Sequence, residues 1–356
     1  MADRSVSNSL CSNEIELRAR WQTQDGQDKS RRVLDALKKG RVFEKIDGVE
    51  MIDGRVDLRG LAVPRLNYGT WFSVKGHSVQ NVSGPTVFRR CKLEDIDLSC
   101  CDFGEAMWTG CNLRNVRFNQ ARLCGVGFWG CALNEVNFDG ADMHDAILSG
   151  VDGSKVNTYV NVSFRTANLQ GINGEVELYR DCDFSRANLK IVFFNGARFE
   201  GCTFAGLLSA VTFSLHAKSI APSILPWHRL DPMQFTNRMW NVDFSNAELR
   251  GVVFDGVDLS TCTFPNDENH IVVHQQRELF TKAKALISSE WHEPERTWAL
   301  GLIDIMYLWP GKLYGRQERP EILTQQIQVI NRLDMHEALG YDAGERFYAL
   351  VVELAK

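Results

Sequence analysis

Residues 86–150, written in blocks of five, read TVFRR CKLED IDLSC CDFGE AMWTG CNLRN VRFNQ ARLCG VGFWG CALNE VNFDG ADMHD AILSG. The third residue of each block is large and apolar, from Phe88, Leu93 and Leu98 through to Met143 and Leu148. Eleven of these 13 positions are Leu or Phe, types that supply 54 of the 356 residues, so composition alone would place about two there. The first residue of almost every block is small or β-branched, as at Cys91, Ile96, Cys101, Ala106, Cys111 and Val116.

A period of five suits neither regular element. On an α-helix a five-residue step turns the side chain by about 140°, so the apolar positions would wind around the axis. On a strand, five is odd, and successive anchors would face opposite sides. Every anchor can face inward only if the chain turns a corner once per block. Within a block the small residue and the anchor are two apart, so both face the same side of an extended segment. Stacking at 20 residues aligns Cys91 with Cys111 and Cys131, and Leu93 with Leu113 and Leu133. Stacking at 15 mixes Cys with Ala and Val, and Leu with Trp and Met. Like-on-like columns favour 20, a coil of four sides. The register slips by one and resumes at Phe164, Leu169, Gly174, Tyr179, Phe184, Leu189, Phe194, Phe199 and Phe204, then again from Phe244 to Phe264.

Blocks such as ANLQG, ANLKI, ADMHD and AELRG resemble the pentapeptide-repeat family motif, approximately A(D/N)LXX, over about residues 86–265. The resemblance implies a mainly β solenoid, a right-handed quadrilateral β-helix. It also implies a protein-binding role. The best-understood members bind type II topoisomerases such as DNA gyrase and protect them from inhibitors, an antibiotic-resistance activity, partly by imitating the shape and charge of duplex DNA.

The expected organisation is a polar tail and capping helix over 1–48, the β-helix over 49–265 with degenerate coils at 49–85, and an α-helical domain over 266–356. The capping helix is placed at Ser30–Lys39, with Leu34 and Leu37 on one face and Gly40 as its stop. Loops are expected at 149–161, rich in Gly, Ser and Asn, and at 205–240, where Pro222, Pro226 and Pro232 disfavour ladder pairing. Helical patterns cover 270–290, 295–308, 320–333 and 343–355, bounded by Pro294, Pro310 and Pro320. This region has three uses open to it: capping the coil, forming a homodimer interface, or contacting another protein.

The net charge of −5, and 20 acidic against 16 basic residues over 86–265, argue against direct nucleic-acid binding. The start, MADRSVSNSL, lacks an apolar core, and the apolar run from Trp298 to Trp309 is too short to span a bilayer, so a cytoplasmic protein without a membrane contact is expected. Ten cysteines show no CxxC pair, and seven occupy the inward register, which makes them packing residues. His270 and His274 would share a helix face, but HExxH and a third ligand are missing. GxxxxGK[ST] and a nucleophile elbow are also missing. The chain is therefore read as a non-enzymatic binding protein without cofactor or metal. Candidate contact residues fall in three groups. Glu135, Asp139, Asp142, Asp145 and Asp152 form an acidic stretch with no Lys or Arg between 131 and 152. Trp129, Ile147, Ile191 and Phe193 are apolar at outward positions. Trp227, His228 and Arg229 lie in the longer insertion.

Overall fold

A computed structural model describes residues 12–39, 48–63, 68–74, 77–82, 85–150, 155–217, 236–274, 276–304 and 327–356. The described residues form two compact units, one running to Ile172 and one from Asn173 onward. The described coils of each unit are right-handed quadrilateral β-helix built from pentapeptide repeats.

The corner that the period demands is visible in the backbone. Every fifth residue from Arg90 to Asp145 has a positive φ, including Asp95 at 53°, Asn115 at 51° and Gly130 at 59°. This left-handed conformation turns the chain after each short strand. Gly adopts it freely, and Asn and Asp adopt it more readily than most residues. The second residue of each block explains the motif's preference for Asp or Asn. Its side-chain oxygen accepts the backbone N–H two residues on, as Asp97 does from Ser99 at 2.9 Å, Asn137 from Asp139 at 2.7 Å and Asp183 from Ser185 at 2.8 Å. Such Asx bonds satisfy a donor that the corner takes out of the ladder.

In the first unit, one side of the coil carries Lys92–Asp97, Asn112–Arg117, Ala132–Asn134 and Thr158–Val160 in parallel register. Leu93 pairs with Leu113 and Leu113 with Leu133, the 20-residue step. Leu133 pairs with Tyr159, a step of 26. The step therefore carries six more residues than 20, which is why the pentad phase slips by one. Asn157, fully buried, repairs the ladder beyond that insertion. Its Nδ2 donates to the carbonyls of Phe128 and Leu148 at 2.8 and 2.5 Å, and its Oδ1 accepts from Cys131 N at 2.7 Å. A second side carries Val87–Arg89, Met107–Thr109, Gly127–Trp129 and Ile147–Gly150. Leu113 and Phe118 both face the interior. Phe118, Phe138 and Phe164 stack with centroids 5.2 and 5.3 Å apart and planes within 8° of parallel.

The second unit repeats this scheme. Phe184, Phe204, Phe244 and Phe264 stack at 4.7, 5.0 and 5.7 Å. Gly174 stands at an anchor position, and the ring of Phe194 fills its space: a Cβ on Gly174 would lie 2.7 Å from it. The expected loop at 205–240 is corrected in part. Thr203–Ser214 is one long strand, and Leu208, Val211 and Phe213 belong to the core. Leu208 pairs with Leu189, a step of 19, because Phe204 to Leu208 spans four residues instead of five. The chain is back in the coil by Arg238–Trp240. Residues 218–235 lie outside the described residues.

The N-terminal tail is helical where polarity suggested otherwise. Ser12–Ala19 and Gln24–Lys38 are helices, the second capped by Thr23, whose hydroxyl accepts from Gly26 N at 3.0 Å. Val33, Leu34 and Leu37 are buried, and the Cys91 thiol donates to Leu37 O at 2.7 Å. Gly40 lies outside the described residues. Among the expected degenerate coils, Val56 pairs with Ile96 and Asp57 with Asp97, so Arg55–Val63 is a further layer. Tyr68–Val74 and His77–Val82 instead form an antiparallel hairpin.

The C-terminal pattern also needs two corrections. Residues 270–273 and 328–331 are not helical: HIVV and QVIN pair antiparallel, as their β-branched residues favour. The helices are Gln276–Glu290, Glu295–Leu302, Arg332–Leu339 and Tyr341–Leu354, closing on Phe280, Ile287, Ala299, Met335, Phe347 and Val351. Among the described residues no helix is long and apolar enough to cross a membrane.

In the first unit, Asp57 is buried between Arg20, at 2.6 Å, and Arg59, at 2.8 Å. Burial alone would raise its pKa, but the bonds from Arg59 and Arg20 hold it well below the ordinary carboxylate range. A depressed folded-state pKa contributes stability that is present above the unfolded value of 3.8 and lost as pH falls through the folded one. Asp57→Asn is therefore expected to lower Tm at pH 7, with the gap to wild type closing below about pH 4. Equal gaps at pH 7 and pH 3 in thermal melts would contradict this assignment.

Candidate protein-interaction surface

Outward positions form columns, because residues one coil apart pair directly. On the first unit Val87 pairs with Met107, Met107 with Gly127, and Gly127 with Ile147. Gly127 has no side chain, and the ring of Trp129 lies over it. The result is an apolar outer column in which Ile147 is 41 % exposed while Val87, Met107 and Trp129 are half-buried. Trp129 and Ile147 are thus brought to one side of the coil. In the second unit Ile191 and Phe193 are exposed two residues apart on the strand Leu189–Asn195. Sequence reasoning missed Met107, Leu207 and Trp240. Met107 stands next to the anchor Trp108, a position that marks it as outward, whereas Leu207 and Trp240 fall in the 205–240 stretch that the period of five does not cover.

The acidic stretch is arranged differently. Residues 131–150 make one turn of the coil, so their carboxylates are spread around it. Glu135 and Asp145 are at separate corners, with φ of 55° and 56°. Asn137 bridges to Arg117 and Ser163, whereas Asp142 bridges to Arg122 and Asn168 on another side. Two of the four described acids are engaged locally. Asp139 Oδ1 accepts from the Ser163 hydroxyl and, at 3.1 Å, from Arg165 N. Asp142 Oδ1 lies 2.7 Å from His144 Nδ1 and accepts from Asn168 Nδ2 at 2.9 Å. Charges alternate along the columns: Arg114 meets Glu94 at 2.5 Å, Arg117 meets Asp97 at 3.9 Å, and Arg180 meets Glu200 at 2.6 Å. Asp152, Trp227, His228 and Arg229 lie outside the described residues.

The expected His270–His274 helix face is not formed. His270 is the first residue of a strand, with Nδ1 2.8 Å from Asp267 and Nε2 accepting from Leu249 N at 3.1 Å. A second end group does the same work, since Asp334 accepts from Gly251 N at 2.7 Å and pairs with Arg250 at 2.9 Å. These side chains receive N–H groups that the last coil would otherwise leave open. Among the described residues no cluster of His, Cys, Asp and Glu fits a metal ion. Cys91, Cys101, Cys111, Cys131, Cys182 and Cys202 are buried in the inward register, while Cys262 is half-buried. Burial pushes the Cys101 thiol well up, which suits packing and not nucleophilic attack.

The model of the pentapeptide-repeat family matches residues 86–125, 111–150 and 238–264, in eight copies. The chain carries pentapeptide repeats. No curated protein matches it. Among solved structures it is similar to the pentapeptide repeat protein Rfr23 from the cyanobacterium Cyanothece 51142, at 23% identity over 32% of this chain and 87% of that one, TM-score 0.29. A trypsin-treated form of QnrB1, a plasmid-mediated fluoroquinolone resistance protein, matches at 14% identity over 60% of this chain and 84% of that one, TM-score 0.31. HetL, a pentapeptide repeat protein involved in heterocyst differentiation regulation from Nostoc sp. strain PCC 7120, matches at 15% identity over 51% and 90%, TM-score 0.17. The repeat fold itself rests on the corners and the 20-residue register described above.

Within that fold, an acid that bonds its neighbouring coil and an acid that faces water should respond differently to substitution. Asp139→Ala is expected to destabilise the protein by about 1–2 kcal/mol in urea denaturation, and Glu135→Ala by less than about 0.5 kcal/mol. The reverse order would mean that Asp139 is a free surface charge.

Proposed function

We propose that this pentapeptide-repeat protein is a non-enzymatic binding scaffold whose outer apolar column, centred on Trp129 and Ile147, seats a protein partner. The observation that carries the reading is the stacking of Val87, Met107 and Ile147 in one register, with the Trp129 ring laid over Gly127 between them. A rigid sheet face with aligned apolar side chains loses little conformational entropy on binding. Trp and Met are residue types enriched at interface centres.

The more specific reading is binding and protection of a type II topoisomerase through DNA mimicry. Glu135 and Asp145, the acids of the 131–150 turn that stand exposed at its corners, favour it. The alternating ion pairs between coils favour the general scaffold, since a mimic needs an unbroken acidic stripe. Removing the helical region would not separate these readings, because Asp334 and His270 close the last coil.

Point variants do separate them. Trp129→Ala with Ile147→Ser should leave Tm within a few degrees of wild type and weaken partner binding at least tenfold. Glu135→Gln with Asp145→Asn should leave that binding intact. Gyrase supercoiling with a quinolone supplies the other arm: protection by wild type that disappears only in the Glu135/Asp145 variant would establish mimicry. Retention of every bound partner by the Trp129/Ile147 variant would overturn the scaffold reading.

A further inference from the structure

The inward position two residues ahead of each anchor takes small, uncharged side chains. In the second unit it holds Cys182, Ala187, Val192, Ala197 and Cys202, all buried. One member breaks the rule. Glu177 stands in this position ahead of Tyr179 and is fully buried. Among the described residues neither of its carboxyl oxygens has a hydrogen-bond partner on another residue.

We infer that Glu177 makes the second unit pH-sensitive, so that its coil loses stability as pH rises from acid toward neutrality. The neighbours of the carboxyl group carry the argument. On the next coil the register pairs Leu178 with Arg198, which sets Ala197 at the same inward position and offers no positive charge. The charged residues of that strand face away: Arg198 is exposed, and Glu200 is taken by Arg180 at 2.6 Å. The titratable neighbour is Glu175, of like sign, also buried, whose Oε1 accepts from Asn195 Nδ2 at 2.7 Å. An ionised carboxylate at Glu177 would thus be a buried anion without a cation, offset by its own backbone N–H alone, a far more costly state than the neutral acid. Burial pushes Glu177 well above the ordinary carboxylate range, its own backbone N–H offsets part of that rise, and Glu175 adds to it.

The sign follows from proton linkage. The unfolded chain releases this proton near pH 4.5, and the folded chain keeps it. Stability that is fully present below that pH declines as pH rises, by about tenfold in the folding constant per unit, until the folded-state carboxyl itself ionises.

The test is urea denaturation of the full chain at half-unit steps from pH 5 to pH 8, for wild type, Glu177→Gln and Glu177→Ala. The Gln variant removes the charge at nearly constant volume, and the Ala variant installs the side chain that the next coil already carries. The folding constant of wild type relative to either variant should fall by about tenfold per pH unit over part of this range. A residue that only fills space would shift all pH values equally. Infrared spectra over the same pH steps give a second readout, a protonated-carboxyl band that persists in wild type above the ordinary carboxylate range and that Glu177→Gln removes. Parallel stability curves for wild type and both variants, or a wild-type spectrum without that band, would overturn the inference. This result is independent of any partner, so it stands or falls apart from the scaffold reading.

Discussion

A backbone that must enter the left-handed region once every five residues is the constraint on which the remainder of this molecule rests. A non-glycine residue there costs roughly 1–2 kcal/mol, and the chain places Arg, Glu, Gln and Cys at such corners as well as Gly, Asn and Asp. Val176 and Ile191, both β-branched, also adopt it, at φ of 65° and 57°. Those corners persist because each brings two side chains inward. Rings such as Phe118, Phe138 and Phe164 then stack coil on coil, and aromatic pairs contribute about 0.5–1.5 kcal/mol beyond their buried area. The Asx bonds from Asp97, Asn137 and Asp183 supply a second compensation, satisfying the donor next to the turn.

The same constraint governs the surface. Neighbours in space are 20 residues apart in sequence, or 26 or 40 at the two insertions, so a linear run of charge is wound around the coil. That geometry spreads Glu135, Asp139, Asp142 and Asp145 around one turn, and it gathers Val87, Met107 and Ile147 into one column. Binding chemistry on such a scaffold is legible only down the columns.

The repeat, its 20-residue stacking and the inward cysteines were legible because they depend on local periodicity. Where the step departs from five, periodicity fails. The four-residue step from Phe204 to Leu208 hid a core strand inside an apparent loop. HIVV and QVIN were hidden for a different reason: 58 residues separate Ile271 from its partner Ile330 only in sequence, and a helical pattern around each half outweighed the pairing. The helix Gln24–Lys38 was underestimated because the polar QDGQDKS half conceals a Thr23 cap. Of the candidate site, the outward positions of Trp129 and Ile147 could be read. The seat that Gly127 provides for the Trp129 ring depends on side-chain packing that no spacing rule encodes.

The most direct measurement is a crystal structure of the full chain at a resolution that defines side chains, read at Leu113. The account predicts Leu113 packed between Leu93 and Leu133 in adjacent layers about 4.8 Å apart, with Phe118 inward on the next side of the same coil. Leu113 packed against residues 15 away, or Leu113 and Phe118 on opposite faces of one sheet, would contradict it.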